Sequence, residues 1–268
     1  GVDTIADAKT TSQHLHVQMP SPQVVHRKHM VSLDGDKFLL NSISQRLLQQ
    51  IEKQAGVQTH VEPTHVMIWG HKAPSTKPLA CVSQDERRKL LDLSKRMLAT
   101  FVTTHHQILS VRILIAPPNN VAQNWHLDYR SYPGLYNQTL FIAMTPATAS
   151  NCTECVNFAS TQQARDFNVR VENSVLRARE AQLPLPEAKA ALVADIDAAT
   201  IATRRLLLDT FDGCLVPTSV LPHRRSQALD GLTRITLNID FSTASAEAVQ
   251  ASKFVDDDSL ASRSTAGV

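Results

Sequence analysis

The amino-acid sequence predicts a mainly β domain with flanking helices, an α+β fold built on one sheet-based core. Three observations point there. Two helical stripes open the chain, short runs of strand texture follow from Val111, and that texture returns after a second helical stretch. At 268 residues one domain can bury a sizeable core without disulfides. A chain that is 43% hydrophobic and 19% charged falls outside the disordered, collagen-like and membrane classes.

Residues 1–30 are polar, hold Pro20 and Pro22, and carry no sustained period, so they read as an N-terminal arm. From Ser42 to Ala55, Ile43, Leu47, Leu48 and Ile51 recur at helical spacing and Gly56 closes the run. A capping box is expected where Ser83 precedes Glu86, opening a stripe of Leu90, Leu93, Met97 and Phe101 that should lie on a sheet. Strands are expected in VRILIAP from Val111, QTLFIAMTP from Gln138 and CVNF from Cys155. Residues 161–209 read as a helical insert in two stretches, separated by Leu183-Pro184-Leu185-Pro186. Strands resume at GCLVPTSVL from Gly213 and RITLNIDF from Arg234, and residues 243–268, rich in Ser, Ala and Asp, read as a tail. Residues 31–242 thus form a single domain whose sheet-forming halves are distant in sequence.

Several function classes are disfavoured at once. Twenty-seven basic and 25 acidic side chains are scattered to a net +2, so no clear footprint for nucleic acid exists and a small-molecule substrate is expected. No apolar run is long enough for a membrane span, and the first residues hold neither a basic nor an apolar leader pattern, so a cytoplasmic setting is expected. Cys81, Cys152, Cys155 and Cys214 are too few for a disulfide framework. The Cys152–Cys155 pair spells C-x-x-C, but without a second half a structural role is expected over a zinc or redox site. No Gly-rich phosphate loop or G-x-S-x-G elbow is present.

The chemistry concentrates in three places. In an extended segment residues two apart face one side, so His126 and Asp128 can present an imidazole and a carboxylate to one point. His223 ends the apolar run CLVPTSVLP, and Arg234 opens the next strand eleven residues later. On that strand Arg234, Thr236, Asn238 and Asp240 share one face, while Ile235, Leu237 and Ile239 share the other. Taken singly, each has a plainer reading. His126 can be a core histidine bonded to backbone, Asp128 a turn former, His223 a loop residue after Pro222, and Arg234 a partner of Asp230 or Asp240.

Taken in order, His126-Leu127-Asp128, the distal His223 and Arg234-Ile235-Thr236 resemble the Fe(II)/2-oxoglutarate-dependent oxygenases, over roughly residues 110–241. The resemblance implies a double-stranded β-helix, or jelly roll, core over about 110–241. It implies Fe(II) held by His126, Asp128 and His223, and 2-oxoglutarate held by Arg234 with Thr236. With O2, such a site oxidises, most often hydroxylates, a second substrate. The residue types suit that chemistry: two imidazoles and a carboxylate form the facial triad of non-haem iron, and Arg is the fixed bidentate partner for a carboxylate. His126 and His223 stand 97 positions apart, which exceeds what a compact core needs, and the helical insert accounts for most of the excess. Asn151-Cys152-Thr153-Glu154-Cys155 stands where many members carry a Gly-Gly-Glu-like stretch.

Two alternatives stay open at this point: a cupin-like metal enzyme without 2-oxoglutarate, and a non-catalytic jelly-roll binding module. Arg224 and Arg225, in the expected turn after His223, are the second choice for the carboxylate anchor. Adjacent His105 and His106 point apart, and His65 and His71 lack a carboxylate at ligand spacing. The arm, the insert and the stretch from Tyr129 to Gln138, with Tyr132 and Tyr136, are expected to shape the substrate pocket.

Overall fold

The computed structural model describes residues 24–28, 30–55, 64–70, 82–102, 104–118, 121–128, 137–180, 202–227 and 231–243. Two helices come early. Helix α1 spans Asp34–Ala55, eight residues earlier at its start than the apolar period suggests, with Asp34 and Asp36 in its first turn and Lys53 in its last, where they suit the helix dipole. Leu40, Ile43, Leu47 and Ile51 form its buried stripe. Helix α2 spans Gln84–Phe101 and begins with the expected box: the Glu86 amide donates to Ser83 Oγ at 3.2 Å, and the Ser83 amide to Glu86 Oε2 at 2.9 Å. It buries Leu90, Leu93, Met97 and Leu98. Arg96 binds both oxygens of Asp36, at 2.8 and 2.9 Å, and ties α2 to α1.

The helices cover one face of a six-stranded antiparallel sheet. Its strands are β1 (Val25–Arg27), β2 (Thr64–Gly70), β3 (Gln107–Ala116), β4 (Asn137–Ala143), β7 (Gly213–Val216) and β9 (Arg234–Ser242), in the order β1-β7-β4-β9-β3-β2. Val111, Ile113 and Ile115 of β3, Leu140 and Ile142 of β4 and Ile235, Leu237, Ile239 and Phe241 of β9 pack with the helix stripes into one core. The other face of the sheet looks toward a three-stranded antiparallel sheet, β6 (Thr203–Leu206), β5 (Thr153–Val156) and β8 (His223–Arg225), in the order β6-β5-β8. Phe141, Cys214 and Val216 of the large sheet join Cys155, Val156 and Leu206 of the small one, with Trp125 and Leu127, in a second core. Two antiparallel sheets around a shared interior give the jelly-roll-like core, flanked by helices.

The expected insert differs from what is found. Helix α3 covers Thr161–Glu180 and buries Phe167 in the second core. Residues 181–201, with the Leu183–Pro186 break, lie outside the described residues, as do residues 1–23, Tyr129–Tyr136 and 244–268. Residues 203–209, read as helical, instead contribute β6, paired with β5 from Thr203↔Val156 to Leu206↔Thr153. The three leucines at 206–208 mimic a helical stripe, yet Leu206 and Leu208 are buried and Leu207 is exposed, a period of two set by the partner strand.

Ser83→Ala removes the cap of α2 and should cost about 1 kcal/mol, whereas Ser83→Asp should retain most of it. Urea unfolding of the three proteins checks this, and equal midpoints would show that the box does not hold the helix.

Candidate metal centre

The first two candidate residues do not sit on a strand, as expected, but on the irregular segment 121–128. It is latched to β8 and the loop before it by backbone bonds. The amides of His126 and His223 each donate to the other's carbonyl at 3.0 Å, Gln123 N–H donates to Arg225 O at 3.0 Å, and Asp128 N–H to Thr218 O at 2.9 Å. This reciprocal bridge faces the two histidines directly, with ring centroids 4.4 Å apart.

The side chains converge. One ligand atom from each of His126, Asp128 and His223 lies within 4.8 Å of the others, the one such group of His, Cys, Asp and Glu among the described residues. His126 Nε2 stands 3.6 Å from Asp128 Oδ1, and His223 Nε2 3.6 Å from Asp128 Oδ2. Donors held at right angles about 2.1 Å from one ion stand about 3 Å apart, so small side-chain adjustments bring these three onto a common metal. The second ring nitrogens are already committed: His126 Nδ1 lies 3.0 Å from Asn124 O, and His223 Nδ1 3.1 Å from Leu221 O. A carbonyl only accepts, so each Nδ1 carries the hydrogen and each Nε2 turns its lone pair to the cluster.

The electrostatics suit a cation. Burial, then the neighbouring His223, hold the His126 imidazole below its ordinary pKa. Burial alone would push the Asp128 carboxyl up, but His223, Arg112 and His126 outweigh it and hold the acid well below the usual carboxylate range. An ionised carboxylate and available imidazole nitrogens are the forms a metal binds.

The inner face of β9 runs from Arg234 through Thr236 and Asn238 to Asp240, opposite Ala116, Leu114, Arg112 and Ser110 of β3. Arg234 is only 2% exposed and its Nη1 donates to Thr153 Oγ1 at 3.1 Å. Its Nε, Thr236 Oγ1 and Asn238 Oδ1 are buried without a hydrogen-bond partner among the described residues. Three orphaned polar atoms in a row on one strand face mark a line where a polar occupant fits. Burial, with the charge of Arg225, lowers the Arg234 pKa to about 10, so it remains a cation at neutral pH. Of the plainer partners of Arg234, Asp240 pairs with Arg112 instead, and Asp230 lies outside the described residues.

Arg224 and Arg225 lie in β8 rather than in a turn, and they separate. Arg224 pairs with Glu154 at 2.8 Å and stacks over Trp125 at 4.5 Å, so its charge is met away from the interior. Arg225 shares the His223 face, opposite Thr153, and donates to Val121 O at 3.0 Å. His105 and His106 follow α2 and remain apart from the cluster, and His71 lies outside the described residues. Arg112 and Thr153 were not singled out in the sequence. An arginine inside the apolar run VRILIA is a signal that marks the former; Thr153 carries none.

No protein-family model matches the chain, and no curated protein matches it in sequence. Solved structures do. AviO1 from Streptomyces viridochromogenes Tue57 is similar over 90% of this chain and 96% of its own, at 15% identity and a TM-score of 0.51. The epimerase SnoN, solved in complex with Fe3+, alpha ketoglutarate and nogalamycin RO, is similar over 97% and 93%, at 12% identity and a TM-score of 0.51. At such identities the likeness establishes the fold. The chain thus has the jelly-roll-like fold that an iron- and alpha-ketoglutarate-binding epimerase also has.

Cys152, Cys155 and Cys214 are free and buried in the second core, and Cys81 lies outside the described residues. Cys155 opposes His223 in register, yet its sulfur is not part of the three-ligand group. Burial pushes the Cys214 thiol up to about 12 and raises Cys152 and Cys155 as well. Iodoacetamide at pH 8 should therefore leave all three unmodified in the native chain and label them in urea. Site-resolved mass spectrometry reads this, and native labelling of Cys152 or Cys155 would point to an accessible, reactive pair.

Proposed function

We propose that the protein is a non-haem Fe(II)/2-oxoglutarate-dependent oxygenase, with His126, Asp128 and His223 as the iron ligands and Arg234 and Thr236 as the co-substrate anchor. The observation that carries this reading is one interior holding both an open three-donor cluster and a buried guanidinium without a carboxylate partner among the described residues. Iron and 2-oxoglutarate bound there would supply activation of O2, coupling release of succinate and CO2 to oxidation of a second substrate.

The chain's own part is binding and shielding. The Arg234 fork pairs with the distal carboxylate of 2-oxoglutarate, and the Thr236 hydroxyl donates to it from two residues along the same face. Asn124 O and Leu221 O hold the two imidazoles in the tautomer that leaves Nε2 available. Phe141, whose ring lies 6.4 Å from that of His223, keeps water from the interior beside the cluster. Asp128 fills the carboxylate position, which favours oxygenation over halogenation, and we assign hydroxylation of a small molecule as the reaction. The nogalamycin RO held by SnoN supports a substrate of that size class.

Chelator-treated protein should bind one Fe(II), or Mn(II) as an inert substitute, per chain, and His126→Ala or His223→Ala should abolish binding. Full stoichiometry in both variants would remove the ligand assignment.

Anaerobic titration of 2-oxoglutarate into the Fe(II) protein, read by the visible charge-transfer band of the chelate, tests the anchor. Arg234→Ala should lower affinity about 30-fold to several thousand-fold, roughly 2 to 5 kcal/mol, by leaving a buried carboxylate unpaired. Iron binding should persist, and Arg234→Lys should recover part of the loss. Unchanged affinity in Arg234→Ala would remove the anchor, and no band in the wild type would favour a metal enzyme without 2-oxoglutarate.

A further inference from the structure

Asp128 differs from the two histidines in how it is held. Each imidazole has its remote nitrogen fixed on a backbone carbonyl. The Asp128 carboxylate, on a segment outside both sheets, has neither oxygen held by a backbone amide among the described residues and lies 3.6 Å from one imidazole on each side. What approaches it from a regular strand is Arg112 of β3, whose Nη2 is 3.7 Å from Asp128 Oδ2. The same guanidinium places its Nε 3.3 Å from Oδ2 of Asp240, a carboxylate with no exposed surface.

Asp240 is itself clamped. Ser110 Oγ donates to Oδ2 at 2.5 Å and Thr139 Oγ1 to Oδ1 at 2.7 Å, from the strands on either side of β9. Thr139 Oγ1 in turn meets Thr218 Oγ1 at 3.0 Å, and Thr218 O accepts the Asp128 amide at 2.9 Å. The contacts close a ring: Asp128, Arg112, Asp240, Thr139, Thr218 and back to Asp128. One arm sets the Asp128 main chain and the other its carboxylate, and both start from the same buried acid.

We propose that Arg112, with Asp240 as its fixed counter-ion, is the positioning residue that aims the Asp128 carboxylate at the metal. The inference rests on the reading of His126, Asp128 and His223 as ligands. A guanidinium held between two carboxylates restricts the Asp128 rotamer before the ion arrives and stops the carboxylate from turning into a direct pair with either imidazole. A plainer role, neutralising Asp240 inside the fold, would affect stability and leave metal affinity alone.

The test uses the full chain, stripped with chelator and titrated with Mn(II) by electron paramagnetic resonance, beside urea unfolding of the same metal-free samples. The variants are Arg112→Lys and the charge-neutral pair Arg112→Gln/Asp240→Asn, which keeps polar contact without burying a lone carboxylate. The double variant should fold and lose about 10- to 100-fold in Mn(II) affinity, with Arg112→Lys between it and the wild type. Mn(II) affinity equal to wild type in the folded double variant overturns the proposal. If that variant does not fold, wild-type affinity in Arg112→Lys overturns it. Binding that is lost in His223→Ala yet unchanged in both Arg112 variants sinks this inference alone; no Mn(II) binding by the wild type sinks the ligand reading with it.

Discussion

Strand β9 is buried on both faces along its whole length, from Arg234 to Ser242, and the rest of the molecule is arranged around that constraint. Its apolar side chains, Ile235, Leu237, Ile239 and Phe241, join the sheet to α1 and α2. Fully burying each such side chain is worth about 1.5 to 3 kcal/mol, so this face holds the strand in register. The polar alternates have no choice but to enter the interior. There each must find a partner or carry its desolvation cost.

The two ends of that polar face meet the cost differently. At the Asp240 end the carboxylate is met within the chain, by hydrogen bonds from Ser110 and Thr139 and by the charge of Arg112. At the Arg234 end, among the described residues, one bond to Thr153 serves the guanidinium, and Thr236 Oγ1 and Asn238 Oδ1 have no partner. One strand thus supplies a rigid support beneath the three-donor cluster and, at the other end of the same wall, a cation without a carboxylate partner among the described residues.

The small sheet contributes by alternation. In β8, His223 and Arg225 face the interior, while Arg224 between them pairs with Glu154 and covers Trp125 on the other side. Adjacent arginines of identical chemistry are therefore separated by the thickness of a sheet, and a one-residue slip would exchange them. The reciprocal bridge between His126 and His223 guards against that slip by tying the register of β8 to the segment that brings Asp128. A structural irregularity and the geometry of the site are one feature.

The sequence by itself determined what short-range periodicity can encode. The Ser83–Glu86 box, the α2 stripe and the alternation of β9 were legible there, because each depends on neighbours within a few residues, whereas His126, Asp128, His223 and Arg234 were named as candidates from their order and spacing along the chain. The jelly-roll expectation came from the order of those motifs, and two sheets around a shared interior agree with it. Only tertiary structure decided the remainder. Residues 203–206 became a strand because β5 offered an edge, against a local pattern that favoured helix. Arg112 met Asp240 because β3 lies beside β9, a pairing across more than a hundred residues of chain. The shortage of partners around Arg234 is likewise a property of its surroundings. Burial and counter-ions belong to the packed interior, and no local pattern of side chains contains them.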